Sequence, residues 1–244
     1  MVYAPSAVAR IAAGDAIVLL AGVHVGCVEL IGSDRVRTIS DLRGKTVVVN
    51  EPGKTVYAFL ASILASVGVD PTRDVTWLAR PLGEWEQLFV QGHIDALMAT
   101  PPLAQHLRSR KVGRVILNTT TDRPWSQYFC CFVAANREFT RKHPVATKRV
   151  IRAVLKASTM CAAEPERVAR SLVDRGFTPR YDYAAQAMKD VPFGKWREYD
   201  PSDTVRFYAL RLHEAGMIKA SPQKILAQGT DWRFVQELKN ELKG

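Results

Sequence analysis

The chain has 244 residues, of which 47% are hydrophobic and 24% charged, and its formal net charge is +10. This composition excludes a disordered chain, and the length suffices for one large domain or two smaller lobes. The basic residues are scattered, and their densest run, at 108–114, has no interleaved aromatic residues, so no nucleic-acid partner is predicted.

The N-terminal segment is apolar but is interrupted by Arg10, Gly14 and Asp15. We interpret it as folded structure rather than as a signal peptide, because it has no basic start and no continuous apolar core. No stretch of the sequence has the length and apolarity of a membrane-spanning helix.

Up to residue 118, short apolar strands alternate with short amphipathic helices. The predicted strands are 16–22, 24–31, 46–50, 74–79, 94–100 and 114–118, and the predicted helices are 6–13, 55–68, 84–91 and 102–110. Such alternation predicts the α/β class, with mainly parallel sheets flanked by helices.

After a further strand at 128–137, the pattern becomes helical to the end of the chain. The predicted helices are 143–163, 164–176, 200–216, 221–228 and 230–242. Pro165 and Pro201 suit first helical turns, and Gly176 and Gly216 suit the ends of the same helices.

The stretch Gly53-Lys54-Thr55 follows a strand, as the end of a nucleotide-binding phosphate loop does. That loop requires a glycine five positions before its last glycine, where this chain has Val48 inside the strand. A nucleotide site is therefore not predicted. The exposed backbone N–H groups at the start of the following helix still favour an anion or a polar ligand group.

The four cysteines are Cys27, Cys130, Cys131 and Cys161, and they lack metal-ligand spacing. Cys130 and Cys131 are neighbours in a predicted strand, so their side chains are expected on opposite faces. We therefore expect buried thiols, with no metal and no cofactor.

Five segments occur in an order that resembles a known family. They are ISDLRGKTVVV (39–49), PGKTVYAFLASILASVGVDP (52–71), VTWL (75–78), QGHIDA (91–96) and YFCCFVAANREF (128–139). In this order they resemble the substrate-binding proteins of ABC importers in the nitrate, taurine and alkanesulfonate class, which includes relatives similar to binders of thiamine-pyrimidine precursors.

The resemblance covers essentially the whole chain and implies the type II periplasmic-binding-protein fold. In that fold two α/β lobes are joined by two crossing strands, and the ligand lies in the cleft between them. Mapped onto this sequence, residues 1–44 and 119–244 would form lobe one, with a helical C-terminal region, and 45–118 would form lobe two.

The resemblance also implies a strand–helix–strand unit at the start of lobe one. Such a unit takes about 30 residues, and the segment that matches the family begins at Ser6. We therefore expect a first lobe without this unit, whose uncovered sheet edge promotes self-association.

Ligand contacts in lobe two are expected where strands end, because open α/β sheets bind ligands outside the carboxyl ends of their strands. Thr55 could instead only cap its helix, and Trp85 could belong to the core. The candidates are Gly53, Lys54, Thr55, Val56, Arg80, Trp85, Thr100 and Pro101.

The lobe-one candidates follow the strand at 16–22 and the return crossing. A lone histidine is more often structural than a ligand contact, and Cys27 is more often buried than functional. The candidates are His24, Cys27, Trp125 and Tyr128.

The family resemblance implies a non-enzymatic protein that binds a small organic ligand, anionic or heterocyclic, for an ABC permease in the periplasm. One alternative is an enzyme that resembles the relatives which make the thiamine pyrimidine. Those relatives use iron together with a histidine-rich motif and a cysteine-rich motif. Only Cys130-Cys131 resembles those motifs. A second alternative is a ligand-sensing module whose first lobe is completed by a partner chain.

Overall fold

The computed structural model describes residues 1–51 and 55–242, except for the side chain of Thr55. The described strands are β1 (Val2–Tyr3), β2 (Ile17–Val25), β3 (Glu29–Gly32), β4 (Lys45–Val49), β5 (Val75–Ala79), β6 (Ala96–Ala99), β7 (Arg114–Asn118) and β8 (Phe129–Asn136). They form two sheets, one of three strands and one of five.

The described α-helices are α1 (Ala4–Ala12), α2 (Thr55–Ser66), α3 (Trp85–Val90), α4 (Leu103–Ser109), α5 (Arg137–Lys142), α6 (Pro144–Ala163), α7 (Pro165–Asp174), α8 (Tyr181–Asp190), α9 (Pro201–Glu214), α10 (Pro222–Gly229) and α11 (Arg233–Glu241). Nine of the eleven described α-helices coincide with predicted helices, and α5 and α8 were not predicted. Proline stands in the first turn of α6, α7, α9 and α10, where its missing N–H costs no helical hydrogen bond.

The three-stranded sheet has the order β1-β8-β2, and both of its strand pairs are antiparallel. The prediction of a mainly parallel sheet is therefore wrong for this part of the chain. The physical reason is the route of the chain, because it leaves this sheet through β2 and returns through β8 in the opposite direction.

The five-stranded sheet has the order β5-β4-β6-β3-β7. Here β4 runs parallel to both β5 and β6, and β3 is antiparallel to its neighbours, so four strands share one direction. The mainly parallel prediction is confirmed for this sheet. Since β3 lies in it, we propose that lobe two begins near Glu29, and that lobe one comprises 1–25 and 129–242.

Residues 26–28 and 119–128 connect the two sheets, and they contact each other. The Thr119 hydroxyl accepts hydrogen bonds from the backbone N–H groups of Cys27 (3.2 Å) and Val28 (2.9 Å). Gly26 has φ +46°, and a Cβ there would lie 2.3 Å from the Thr119 carbonyl oxygen. Glycine is thus required where the two crossings touch.

The helix α8, which the sequence did not predict, connects the C-terminal helical region to lobe two. Its Asp190 accepts a hydrogen bond from Gln105 of α4 (3.0 Å) and pairs with Arg108, which also lies 3.5 Å from the buried Glu29 carboxylate. Tyr183 of α8 lies 3.3 Å from Nδ1 of His106. These polar contacts fix α8 against the five-stranded sheet.

The helix α2 packs at the junction of the two lobes. Phe59 of this helix meets Tyr3 edge-on at 6.2 Å and Tyr208 of α9 at 5.7 Å, measured between ring centroids. The buried core therefore continues from one sheet to the other through α2. Within residues 1–51 and 55–242, none of the helices is both long and apolar enough to cross a membrane.

Candidate functional site

A cavity of about 390 Å³ lies at one edge of the five-stranded sheet, next to Tyr3 of the three-stranded sheet. Its lobe-two wall is built at the ends of β4, β5 and β6, which run in the same direction and so end at the same edge. The described residues that line it are Tyr3, Asn50, Glu51, Val56, Leu82, Trp85, Met98 and Thr100. The volume lies within the range of small-molecule sites.

Tyr3 is the contribution of the three-stranded sheet to this cavity. Thr100, which follows β6 in the other sheet, lines the same cavity. Burial raises the pKa of the Tyr3 phenol, so this group is neutral at pH 7. The cavity is therefore bordered by hydroxyl-bearing side chains from both sheets.

Trp85 begins α3 and forms one wall of the cavity. Its side chain is 1% exposed, and Nε1 donates a hydrogen bond to the Arg80 carbonyl oxygen (2.9 Å). The residue is thus part of the lobe-two core and of the cavity lining at once, so both of the predicted roles fit its position.

Other lobe-two candidates are placed differently. Gly53 and Lys54 lie outside the described residues, as does the Thr55 side chain. Val56, in the first turn of α2, lines the cavity. The Arg80 side chain is directed to its own strand, where it donates to the Ala79 carbonyl oxygen (2.8 Å), and it is absent from the described lining. Pro101 follows Thr100, and it too is absent from that lining.

The aromatic candidates of lobe one lie away from this cavity. Trp125 is 2% exposed and packs against Phe207 and Tyr208 of α9. Tyr128 stacks on Phe207, with centroids 4.0 Å apart, beside a separate surface depression. Neither side chain is among the described lining of the cavity between the sheets, and the ligand contact expected of each stays a prediction.

His24 and Cys27 belong to a second constellation, the thiol cluster, which also contains Cys130 and Cys131. The Sγ atoms of Cys27 and Cys130 are 2.8 Å apart, and a ring nitrogen of His24 lies within 4.8 Å of both. His24 Nδ1 is 3.1 Å from the Gly26 carbonyl oxygen. Two thiols and an imidazole at this spacing could hold a soft metal ion such as Zn²⁺.

Cys131 follows Cys130 in β8, and among the described residues the close group of ligand atoms consists of His24, Cys27 and Cys130. The expectation that Cys130 and Cys131 point to opposite faces stays a prediction. The register between β2 and β8 shifts on both sides of His24, and such irregularities interrupt the alternation of side chains. Polar interactions with Cys130, Cys27 and then His24 hold the pKa of Cys131 well below its usual range. Burial raises the pKa of Cys130.

Several lining residues were missed by sequence reasoning. Asn50 and Glu51 directly follow β4, so the rule that ligands bind at carboxyl ends of strands could have identified them. Tyr3 carried no local signal, because its position depends on pairing with Cys131, far along the chain.

The two-lobed fold with a cavity between its sheets defines an architecture shared by many binding proteins. Residues 13–173 match the model of the NMT1-like family. The chain belongs to this family. No sequence among the curated proteins matches the chain significantly.

Solved structures share the fold at low sequence identity. A protein from Bordetella bronchiseptica RB50 is 16% identical, with a TM-score of 0.75 over 99% of this chain and 80% of that one. The alkanesulfonate-binding protein SsuA from Xanthomonas axonopodis pv. citri, bound to MOPS, is 15% identical, with a TM-score of 0.69 over 89% and 75% of the two chains.

The periplasmic nitrate-binding protein NrtA from Synechocystis PCC 6803 is 15% identical, with a TM-score of 0.70 over 99% of this chain and 73% of that chain. The predicted resemblance to the nitrate and alkanesulfonate class is thus confirmed, and so is the periplasmic-binding-protein fold.

Proposed function

We propose that the protein is the solute-binding component of an ABC importer and holds a small organic molecule between its two lobes. The observation that supports this most is the cavity of about 390 Å³, which is lined from both sheets at the carboxyl ends of β4, β5 and β6. A ligand that touches both walls would stabilise the closed arrangement of the lobes.

The lining favours a ligand with a flat or apolar body and a polar group. Val56, Trp85 and Met98 supply apolar surface, and Tyr3 and Thr100 supply hydroxyl groups. Within the described part of the lining there is one carboxylate, that of Glu51, and no basic side chain. A heterocyclic compound therefore fits this part of the wall well.

The start of α2, which forms another part of the cavity wall, supports an anionic ligand. The first turn of α2 borders the cavity at Val56, and the start of a helix favours negative charge by about 0.3–1 kcal/mol when exposed. We propose that residues 53–55 contact the polar or anionic group of the ligand, with Lys54 adding positive charge.

The proposed activity is binding without catalysis, with no cofactor. Two of the similar solved structures are named as an alkanesulfonate-binding protein and a nitrate-binding protein. By the same analogy we propose a membrane permease as the partner and the periplasm as the location. Self-association through lobe one stays a prediction that light scattering tests.

A thermal-shift screen identifies the ligand class. The panel contains MOPS and other sulfonates, carboxylates, pyrimidines and inorganic anions such as nitrate. A ligand at a hundred times its dissociation constant stabilises the protein by about 2.7 kcal/mol. If no compound of these classes raises the melting temperature, the proposed solute-binding role loses its support.

A matched pair of variants then locates the site. Tyr3→Phe removes the hydroxyl at the cavity, and Tyr128→Phe makes the same change on the other surface. Loss of one neutral hydrogen bond costs about 0.5–1.5 kcal/mol, so Tyr3→Phe should bind the best compound of the screen about 2- to 13-fold more weakly. Equal affinities in calorimetry would place the ligand elsewhere.

A further inference from the structure

The Sγ atoms of Cys27 and Cys130 are only 2.8 Å apart. A disulfide bond has a length of about 2.05 Å. Two thiolates on one tetrahedral zinc ion lie about 3.8 Å apart, as follows from Zn–S bonds of about 2.3 Å. The observed separation is therefore nearer to that of a covalent pair than to that of two metal ligands.

The backbones that carry the two thiols are held in place. Cys27 lies in the first crossing, where its N–H donates to the Thr119 hydroxyl (3.2 Å). Cys130 lies in β8, the middle strand of the three-stranded sheet. The sulfur atoms lie 2.8 Å apart, so a shift of about 0.8 Å brings them to the length of a disulfide bond.

We propose that Cys27 and Cys130 are an oxidative modification site, at which a small-molecule disulfide converts the two thiols into an intrachain disulfide bond. This inference is independent of the ligand and of the proposed transport role.

Access to the thiol pair is from one side. Cys27 is half-buried, whereas Cys130 is buried, with 1% of its surface exposed. An oxidant therefore meets Cys27 first. Cys130 reacts only with a group already attached to Cys27, so the pair closes within the protein.

The reaction proceeds in two exchange steps. The Cys27 thiolate attacks one sulfur of the small disulfide and forms a mixed disulfide, which releases the first small thiol. The Cys130 thiolate then attacks Sγ of Cys27 and displaces the second small thiol. The oxidant gains the two electrons that the protein thiols lose, and the two protein protons end on the released thiols.

The bond would have a structural consequence because of its place in the chain. Cys27 and Cys130 are 103 positions apart, and the segment between them contains all five strands of the larger sheet. The disulfide would join the two ends of the chain segment that forms lobe two. It would also attach the first crossing covalently to the middle strand of lobe one. Hinge motions depend on a few such connecting residues, so the oxidised protein should open and close less freely.

The test treats the reduced full chain with oxidised glutathione, followed by alkylation, intact mass measurement and peptide mapping. We expect a mass lower by two hydrogen atoms before alkylation, two added alkyl groups instead of four after it, and a linked peptide pair containing Cys27 and Cys130. The oxidised chain should melt at a higher temperature than the reduced chain.

Variants separate the two steps. Cys130→Ser should retain one glutathione on Cys27, because the resolving thiol is gone. Cys161→Ser changes a half-buried cysteine of α6 outside the thiol cluster and should form the same internal bond as the parent. The wild-type peptide map decides the question even if Cys130→Ser fails to fold.

Three results would overturn the proposal. The first is that all four thiols survive the treatment. The second is a bond that links Cys131 instead of Cys27 or Cys130. The third is one tightly bound metal ion per chain, found by elemental analysis, that protects the thiols from glutathione, since the cluster would then be a metal site.

Discussion

Gly26→Ala perturbs the point at which the two crossings touch. The substitution forces a side chain into a backbone with φ +46° and places Cβ 2.3 Å from the Thr119 carbonyl oxygen. Gly44→Ala is the matched control, because Gly44 has φ +69° but nothing within 4 Å of its Cβ position. Both variants carry the cost of the left-handed backbone, about 1–2 kcal/mol.

Only Gly26→Ala also carries a steric cost. Ordinary contacts of Cβ begin at 3.4 Å, so the second crossing must move by about 1.1 Å, the difference between 3.4 and 2.3 Å. Overpacking of this kind costs about 1–3 kcal/mol. We therefore expect Gly26→Ala to lose about 2–5 kcal/mol of unfolding free energy and Gly44→Ala about 1–2 kcal/mol.

Urea unfolding, followed by circular dichroism, measures both losses on the same protein. A difference of about 1–3 kcal/mol between the variants supports the close contact of the crossings. Equal losses in the two variants would refute the reasoning, because the backbone conformation alone would then account for the effect.

Three further predictions concern buried polar groups of lobe two and its contact with α8. Burial raises the pKa of Glu29 in the folded protein, so the stability that its neutral carboxyl contributes is fully present below the unfolded pKa, near 4.3, and is lost as pH rises through the folded pKa. Over the same pH range, urea unfolding of Glu29→Gln should show a free energy of unfolding that improves relative to the parent. A difference between the two proteins that stays constant with pH would contradict this. Asp190→Asn weakens charged hydrogen bonds between α8 and α4 that are worth about 1.5–3 kcal/mol. The control Asp182→Asn, on the same helix, changes an exposed ion pair with Arg180 worth about 0–1 kcal/mol. Equal losses in thermal unfolding would argue against the role of α8 in holding lobe two. Trp85→Phe removes the indole donor to the Arg80 carbonyl oxygen and should cost about 1–3 kcal/mol in chemical denaturation, and an unchanged midpoint would show that this bond contributes nothing.

Local patterns predicted most helices and strands of this chain. The helix predicted at 143–163 is α6 (Pro144–Ala163), and the strand predicted at 114–118 is β7. In these segments the periodicity of apolar residues and the flanking prolines and glycines agree with the tertiary structure. The helix α8 was missed, and its buried side chains are the small Ala184 and Ala187, which leave little apolar signal, while its place is determined by contacts with α4 and α7.

The candidate site was predicted in part. The carboxyl-end rule identified Val56, Trp85 and Thr100, because it needs only the positions of strands. Tyr3 reaches the cavity through pairing of β1 with β8, and the thiol cluster joins residues 103 positions apart. Such long-range contacts leave no periodic signal in one sequence.

The most direct test of the central claim is hydrogen–deuterium exchange of the protein with and without the best compound of the thermal-shift screen. If a solute lies between the lobes, exchange should slow together in the peptides around Tyr3, at 46–57 and at 96–101, which come from both sheets. The surface around Tyr128 should keep its rate. Protection confined to one sheet, or centred on Tyr128, would contradict a binding site in the cavity between the lobes.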